Sequence, residues 1–236
     1  MNAGVSFGKL MNQEFLQAVR EGNLEKVKKL VEQSRSLVDY RDDNGVSAVL
    51  LAIYDGHRDL ARYLAEKGAQ LSVFDAAALG RADLVEAFLN EDPNLAHAYS
   101  LDGFTALGLA CFFGNNEVVD LLLGKGSDPN AASRNPMRVT PLHSAVANRD
   151  AEKAFQMTKS LLRGGAEVNV AQEGGWTPLH QAAAHGQTAI VKMLLEHGAD
   201  SEAKSRDGRT PLEMAANGAH KEAEQLLRHH SSGKRD

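Results

Sequence analysis

Nine histidines and a single cysteine, Cys111, are the residues here whose chemistry could extend beyond packing. Imidazoles can ligate a metal or move a proton, and a thiol beside one of them can act as a nucleophile. Their placement speaks against each use. His143 and His180 occupy the same position in two similar segments, Thr140-Pro141-Leu142-His143 and Thr177-Pro178-Leu179-His180, so a structural role in a repeated unit accounts for both. His197 closes a helix-like run, where an imidazole interacts favourably with the C-terminal end of the helix dipole. His229 and His230 fall in a polar tail expected to fray. Cys111 stands in a small-residue position of an apolar run and reads as a buried hydrophobe, with no histidine spaced to form a nucleophile pair. Gly174-Gly175 precedes a helix, but its surroundings match neither phosphate-binding glycine pattern. These residues predict no catalytic group, metal or cofactor.

The elements that carry these residues repeat. Gly175-Trp176-Thr177-Pro178-Leu179-His180-Gln181-Ala182-Ala183 returns as Gly208-Arg209-Thr210-Pro211-Leu212-Glu213-Met214-Ala215-Ala216. It returns again as Thr140-Pro141-Leu142-His143-Ser144-Ala145, as Gly103-Phe104-Thr105-Ala106-Leu107-Gly108-Leu109-Ala110, and more weakly from Gly45 to Ala52. Threonine can cap a helix through its hydroxyl, and proline suits the first helical position, where no N–H is needed. Leu179, Ala182 and Ala183 then mark one buried face at helical spacing. Gly186 supplies a left-handed end, and a second helix follows with Ile190, Val191, Leu194 and Leu195 inward, closed by Gly198. The polar stretch from Ala199 to Gly208 is turn-rich.

Together these segments resemble the ankyrin repeat, whose T-P-L-H-x-A signature recurs about every 33 residues. The resemblance covers nearly the whole chain. It implies an all-α solenoid of stacked helix-turn-helix units with projecting β-hairpin loops, forming one domain over 1–236. Neither helix of a unit could bury its apolar stripe alone, whereas stacking makes one continuous core. The units are expected at 12–40 as an N-terminal cap, 41–70, 71–98, 99–130, 131–169, 170–200 and 201–230 as a C-terminal cap. The third is shortened: between Gly68 and Ala76 there is no room for a hairpin, which leaves a notch between its neighbours. The fifth carries about one extra helical turn within Asn148–Lys153.

Composition excludes several partners. The chain carries 43% hydrophobic and 24% charged residues, with a net charge of -5. Lys and Arg number 26 against 31 Asp and Glu, so no cationic excess is available for a phosphate backbone. No stretch approaches a membrane span, and Met1–Leu10 lacks the features of a secretory signal. The expectation is a cytoplasmic protein, monomeric by itself, that binds neither nucleic acid nor membrane.

In proteins of this family the hairpin tips and the exposed ends of the first helices line the concave face and are free to carry function. Those positions here include Tyr54, Leu101, Phe104, Phe112, Phe113, Met137, Arg138, Trp176 and His185. Aromatic, methionine and arginine side chains are enriched in interaction hot spots. The resemblance implies a non-catalytic scaffold or regulator that holds another protein through this face. Two alternatives stay open. Phe112 and Phe113 could fold into the gap beside the third unit, and Trp176 along its own hairpin. The notch itself could serve a small-molecule receptor or enzyme.

Overall fold

The computed structural model describes residues 3–232 of the chain. Its described residues form fourteen α-helices and no strands: α1 (Ala3–Arg20), α2 (Leu24–Gln33), α3 (Ala48–Tyr54), α4 (Arg58–Glu66), α5 (Val73–Leu79), α6 (Ala82–Glu91), α7 (Ala106–Phe113), α8 (Asn116–Gly124), α9 (Pro141–Val146), α10 (Ala151–Arg163), α11 (Pro178–Ala184), α12 (Thr188–Glu196), α13 (Pro211–Asn217) and α14 (Lys221–Ser232). Each odd-numbered helix packs on the helix that follows it and on the next odd-numbered helix, which produces the stack. Two short 3-10 turns, Arg35–Asp39 and Pro93–His97, follow α2 and α6 and were not legible as helical beforehand.

The first helices start as their residues require. Leu50 N–H donates to the Ser47 hydroxyl (3.0 Å), and Gly108 N–H to that of Thr105 (3.0 Å). Proline holds the first turn of α9, α11 and α13. The expected hairpins are tight turns with isolated bridges only, Arg41 with Ser47 and Tyr99 with Thr105. Ser100 N–H to Phe104 O (2.8 Å) and Gly103 N–H to Ser100 O (2.9 Å) close the turn before α7. Five turns of this kind precede α3, α7, α9, α11 and α13, whereas α4 passes to α5 through residues 67–72 without one.

From α7 onward, neighbouring turns are joined tip to tip. Arg134 N–H donates to Gly103 O (2.8 Å), Glu173 N–H to Met137 O (3.0 Å) and Arg206 N–H to Gly174 O (2.8 Å). Gly103 must be glycine for this approach: its φ is +85°, and a Cβ there would lie 2.9 Å from Asn135 N.

Two histidines rivet these turns to the helices. His143 donates from Nε2 to the Trp176 carbonyl of the next turn (3.0 Å), while its Nδ1 accepts from the Thr140 hydroxyl (2.8 Å). His180 does the same with Arg209 O (3.0 Å) and Thr177 (2.8 Å). The carbonyl can only accept, which puts a proton on Nε2, and the Thr140 and Thr177 N–H groups donate to Nδ1 (3.3 and 3.2 Å), which leaves it bare, so both rings are held neutral.

The insertion anticipated in the fifth unit lengthens the start of α10, which has 13 residues against 9 in α8 and α12. The C-terminal tail departs from expectation. His229 and His230 are helical within α14, which runs to Ser232, and Ser231 donates to Glu202 (2.6 Å), tying the end of the helix to the preceding loop. Residues 233–236 of that tail lie outside the described residues.

The neutral histidines make stability depend on pH. Burial pushes the His143 imidazole down from 6.5 to about 4, opposed by its bond to Trp176, and His180 is lowered for the same reason. An unfolded imidazole takes up its proton below 6.5, whereas folded His143 stays neutral until about 4. The unfolded state therefore binds more protons across that window, and stability falls as the pH drops through it. We expect His143 alone to account for about 3 kcal/mol of this loss. Urea unfolding between those two pH values should show a shallower dependence in His143→Gln than in the wild type.

Candidate functional site

The nine singled-out residues sort into two groups by exposure. Leu101, Phe112, Met137, Arg138 and His185 are exposed; Tyr54, Phe104, Phe113 and Trp176 are half-buried. Among the described residues the large hydrophobics left exposed are Leu10 (60%), Leu101 (77%), Phe112 (48%) and Met137 (59%), so three of the four lie at turn tips or first-helix ends. Met137 is held out by its turn. Its N–H donates to Asn135 Oδ1 (3.1 Å), and Arg138 beside it adopts a left-handed φ of 51° that a non-glycine residue seldom takes. His185 caps the C-terminal end of α11, and Trp176 packs against the core 6.3 Å from the His180 ring.

Phe112 and Phe113, adjacent at the end of α7, have different surroundings. Their rings meet edge to face at 5.0 Å. Phe113 continues inward onto Tyr54 at the end of α3 (5.6 Å between ring centres), and the Arg58 guanidinium donates to its carbonyl (2.7 Å). Tyr54 in turn donates its hydroxyl to the Asp102 carboxylate. Burial, reinforced by this bond, raises the phenol above its usual range, so Tyr54 stays a donor. Phe113 thus packs inward between Tyr54 and Phe112, and Phe112 keeps its face open.

These contacts reach from the turn and helices 41–66 to those at 99–124, across the shortened third unit. Leu101 extends over Gly45 in the same direction. Where the third hairpin would stand, a cavity of about 180 Å³ opens, its lining including Arg41, Val46, Phe74, Asp75, Leu101 and Asp102. Val46 lines this notch and is only 8% exposed. Asp75, 1% exposed, holds the position that histidine takes in Thr140-Pro141-Leu142-His143. It accepts from the Ser72 N–H (2.8 Å), the Ser72 hydroxyl (2.5 Å) and the Ser47 hydroxyl. Sequence reasoning missed it, although aligning Ser72-Val73-Phe74-Asp75 with the repeat would have placed an acid in the histidine slot. The core divides at the same place. Buried apolar residues from Phe15 to Leu64, with Ala78, form one group, and those from Val73 to Leu227 form the other.

No group of three or more metal-ligating side chains converges among the described residues. Cys111 is fully buried, and burial raises its thiol far above the ordinary range, which leaves no thiolate for attack. His143 and His180 have both ring nitrogens engaged. No helix among the described residues is long and apolar enough to cross a membrane.

Stacked helix pairs with projecting turns, riveted by Thr-Pro-Leu-His segments, define a repeat solenoid. The family model described as ankyrin repeats (3 copies) matches residues 11–75, 73–157 and 151–235, and the chain belongs to that family. It is 27% identical over 201 residues to the protein named "Probable E3 ubiquitin-protein ligase XBOS32" of Oryza sativa subsp. japonica, covering 80% of this chain and 38% of that protein. It is 28% identical over 200 residues to ankyrin repeat protein nuc-2 of Neurospora crassa, covering 79% of this chain and 18% of that one. With ankyrin repeat and SOCS box protein 3 of Bos taurus it shares 33% over 175 residues, 74% of this chain and 28% of that one. The chain therefore spans well under half the length of these relatives.

The difference between the paired phenylalanines is testable by stability. Phe113→Ala removes a packed ring and should cost about 2 kcal/mol. Phe112→Ala should stay within about 0.5 kcal/mol of the wild type. Chemical denaturation of the two variants checks both values.

Proposed function

We propose that the chain is a non-catalytic scaffold or regulator that binds one partner protein through the face made by its turn tips and first-helix ends. Family membership supports binding as the general activity, since ankyrin repeats are protein-interaction modules. The observation that carries the choice of face is that, Leu10 apart, Leu101, Phe112 and Met137 are the large apolar side chains left exposed among the described residues. Apolar anchors surrounded by polar groups mark interaction sites. Arg138 and His185 supply the polar margin, with Tyr54, Phe104, Phe113 and Trp176 as the firm backing that keeps the anchors in place. The net charge of -5 disfavours nucleic acid. A lone buried thiol fits a cytoplasmic protein, and we read the unbound chain as a monomer.

The names of these relatives refer to ubiquitin ligation and a SOCS box, and the matched portion here is the repeat stack. In this reading the stack supplies recognition and any chemistry belongs to what it holds.

The test uses a partner recovered from native lysate and then purified. In calorimetry, Phe112→Ala with Met137→Ala should weaken binding by about 2 kcal/mol or more, with helix content and unfolding midpoint unchanged. Full affinity in a well-folded double variant rules out this face.

A further inference from the structure

We propose that the notch left by the absent third hairpin is a socket for one cationic side chain, a lysine or arginine, of the partner polypeptide. This deepens the protein-binding reading and rests on it. Size comes first. At about 180 Å³ the cavity matches a single side chain, since about 150 Å³ suffices for a benzene-sized guest. Its walls, Val46, Phe74 and Leu101, suit the methylene stem that both basic side chains carry.

Charge decides the rest. An ionised carboxylate offers about four acceptor positions. Asp75 receives donors from Ser47 and twice from Ser72, and Asp102 receives donors from Tyr54 and Ser100. That leaves about one acceptor position on Asp75 and about two on Asp102, both residues line the cavity, and every donor they have is neutral. Among the described residues neither carboxylate takes part in an ion pair within 4.0 Å. Asp75 is buried with neutral donors alone, and a cation entering the cavity would supply the counter-charge that these donors do not. Arg41 stands at the mouth with its guanidinium on Gly45 O (3.1 Å), where it competes with an incoming cation. The rim already holds one guanidinium: Arg134 lies 3.8 Å from the centre of the Tyr99 ring, which also lines the notch.

The probe is Nα-acetyl-lysine methylamide, with the arginine analogue as a second cation and Nα-acetyl-norleucine methylamide as a neutral control. Binding to the full chain is read from the methyl NMR signals of Val46 and Leu101. Saturable shifts are expected with either cation, with binding at least tenfold weaker for norleucine, for Asp75→Asn and for Asp102→Asn. Arg41→Gln should bind the cations severalfold more tightly. Absence of shifts, an equal response to norleucine, or unchanged binding in the carboxamide variants overturns the socket. If Asp75→Asn loses its helical circular dichroism, Asp102→Asn decides alone. The probes need no partner and do not involve Phe112, so the socket and the apolar face can fail separately.

Discussion

Every helix ends in carbonyls that its own backbone cannot satisfy, and in this chain those groups are answered from the neighbouring unit. At the ends of the first helices, His57 reaches Arg20 O (3.0 Å), and Asn115 reaches Ala77 O (2.7 Å) and Ala78 O (2.9 Å). Asn148 reaches Phe112 O (3.2 Å) and His220 reaches Ala184 O (3.0 Å). On the opposite edge Asn130 receives Glu167 N–H (2.8 Å) and donates to Gly165 O (3.1 Å), and Asn169 repeats the arrangement with Asp200 and Gly198. A helix pair removed from the stack would lose these partners together with its apolar cover. Dependence of this kind makes stability a property of interfaces between units.

The same requirement explains the third unit. With no turn between α4 and α5, the tip-to-tip backbone bonds seen later have no counterpart between the turns at 42–46 and 100–104 among the described residues. Side chains replace them: Tyr54 bonds Asp102, Arg58 caps α7 at Phe113, and Leu101 leans over Gly45. The substitution holds the stack together, but it leaves a cavity and divides the buried apolar residues into two groups. An omission in one loop thus leaves an open volume lined by the buried Asp75 and the half-buried Asp102.

The histidines show how little residue type says about chemistry without position. Nine imidazoles in a sequence suggest ligands or bases. Placed, His143 and His180 rivet turns, His57 and His220 cap neighbouring helices, and His197 bonds the Met193 carbonyl at the end of its own helix (2.8 Å). The pair in Thr-Pro-Leu-His and His197 at its helix end could be assigned from the sequence, because a repeat slot and a helix stop were visible. The bonds of His57 and His220 join residues far apart in sequence, and nothing local marks them.

From the residues alone the all-α repeat architecture and the burial of Cys111 were already determined. Each follows from short-range spacing: a capping hydroxyl, a proline, a small-residue pair, a glycine stop. Which aromatics face outward was not determined. Phe112 and Phe113 are identical neighbours, and only the direction of α7 relative to Tyr54 separates an exposed ring from a packed one. Val46 and Asp75 became walls of a cavity because two turns that are distant in the chain close around a space where a third would have stood. Periodicity reports which face of a helix is buried, whereas the shape between units depends on how neighbouring units settle, and that is decided in three dimensions.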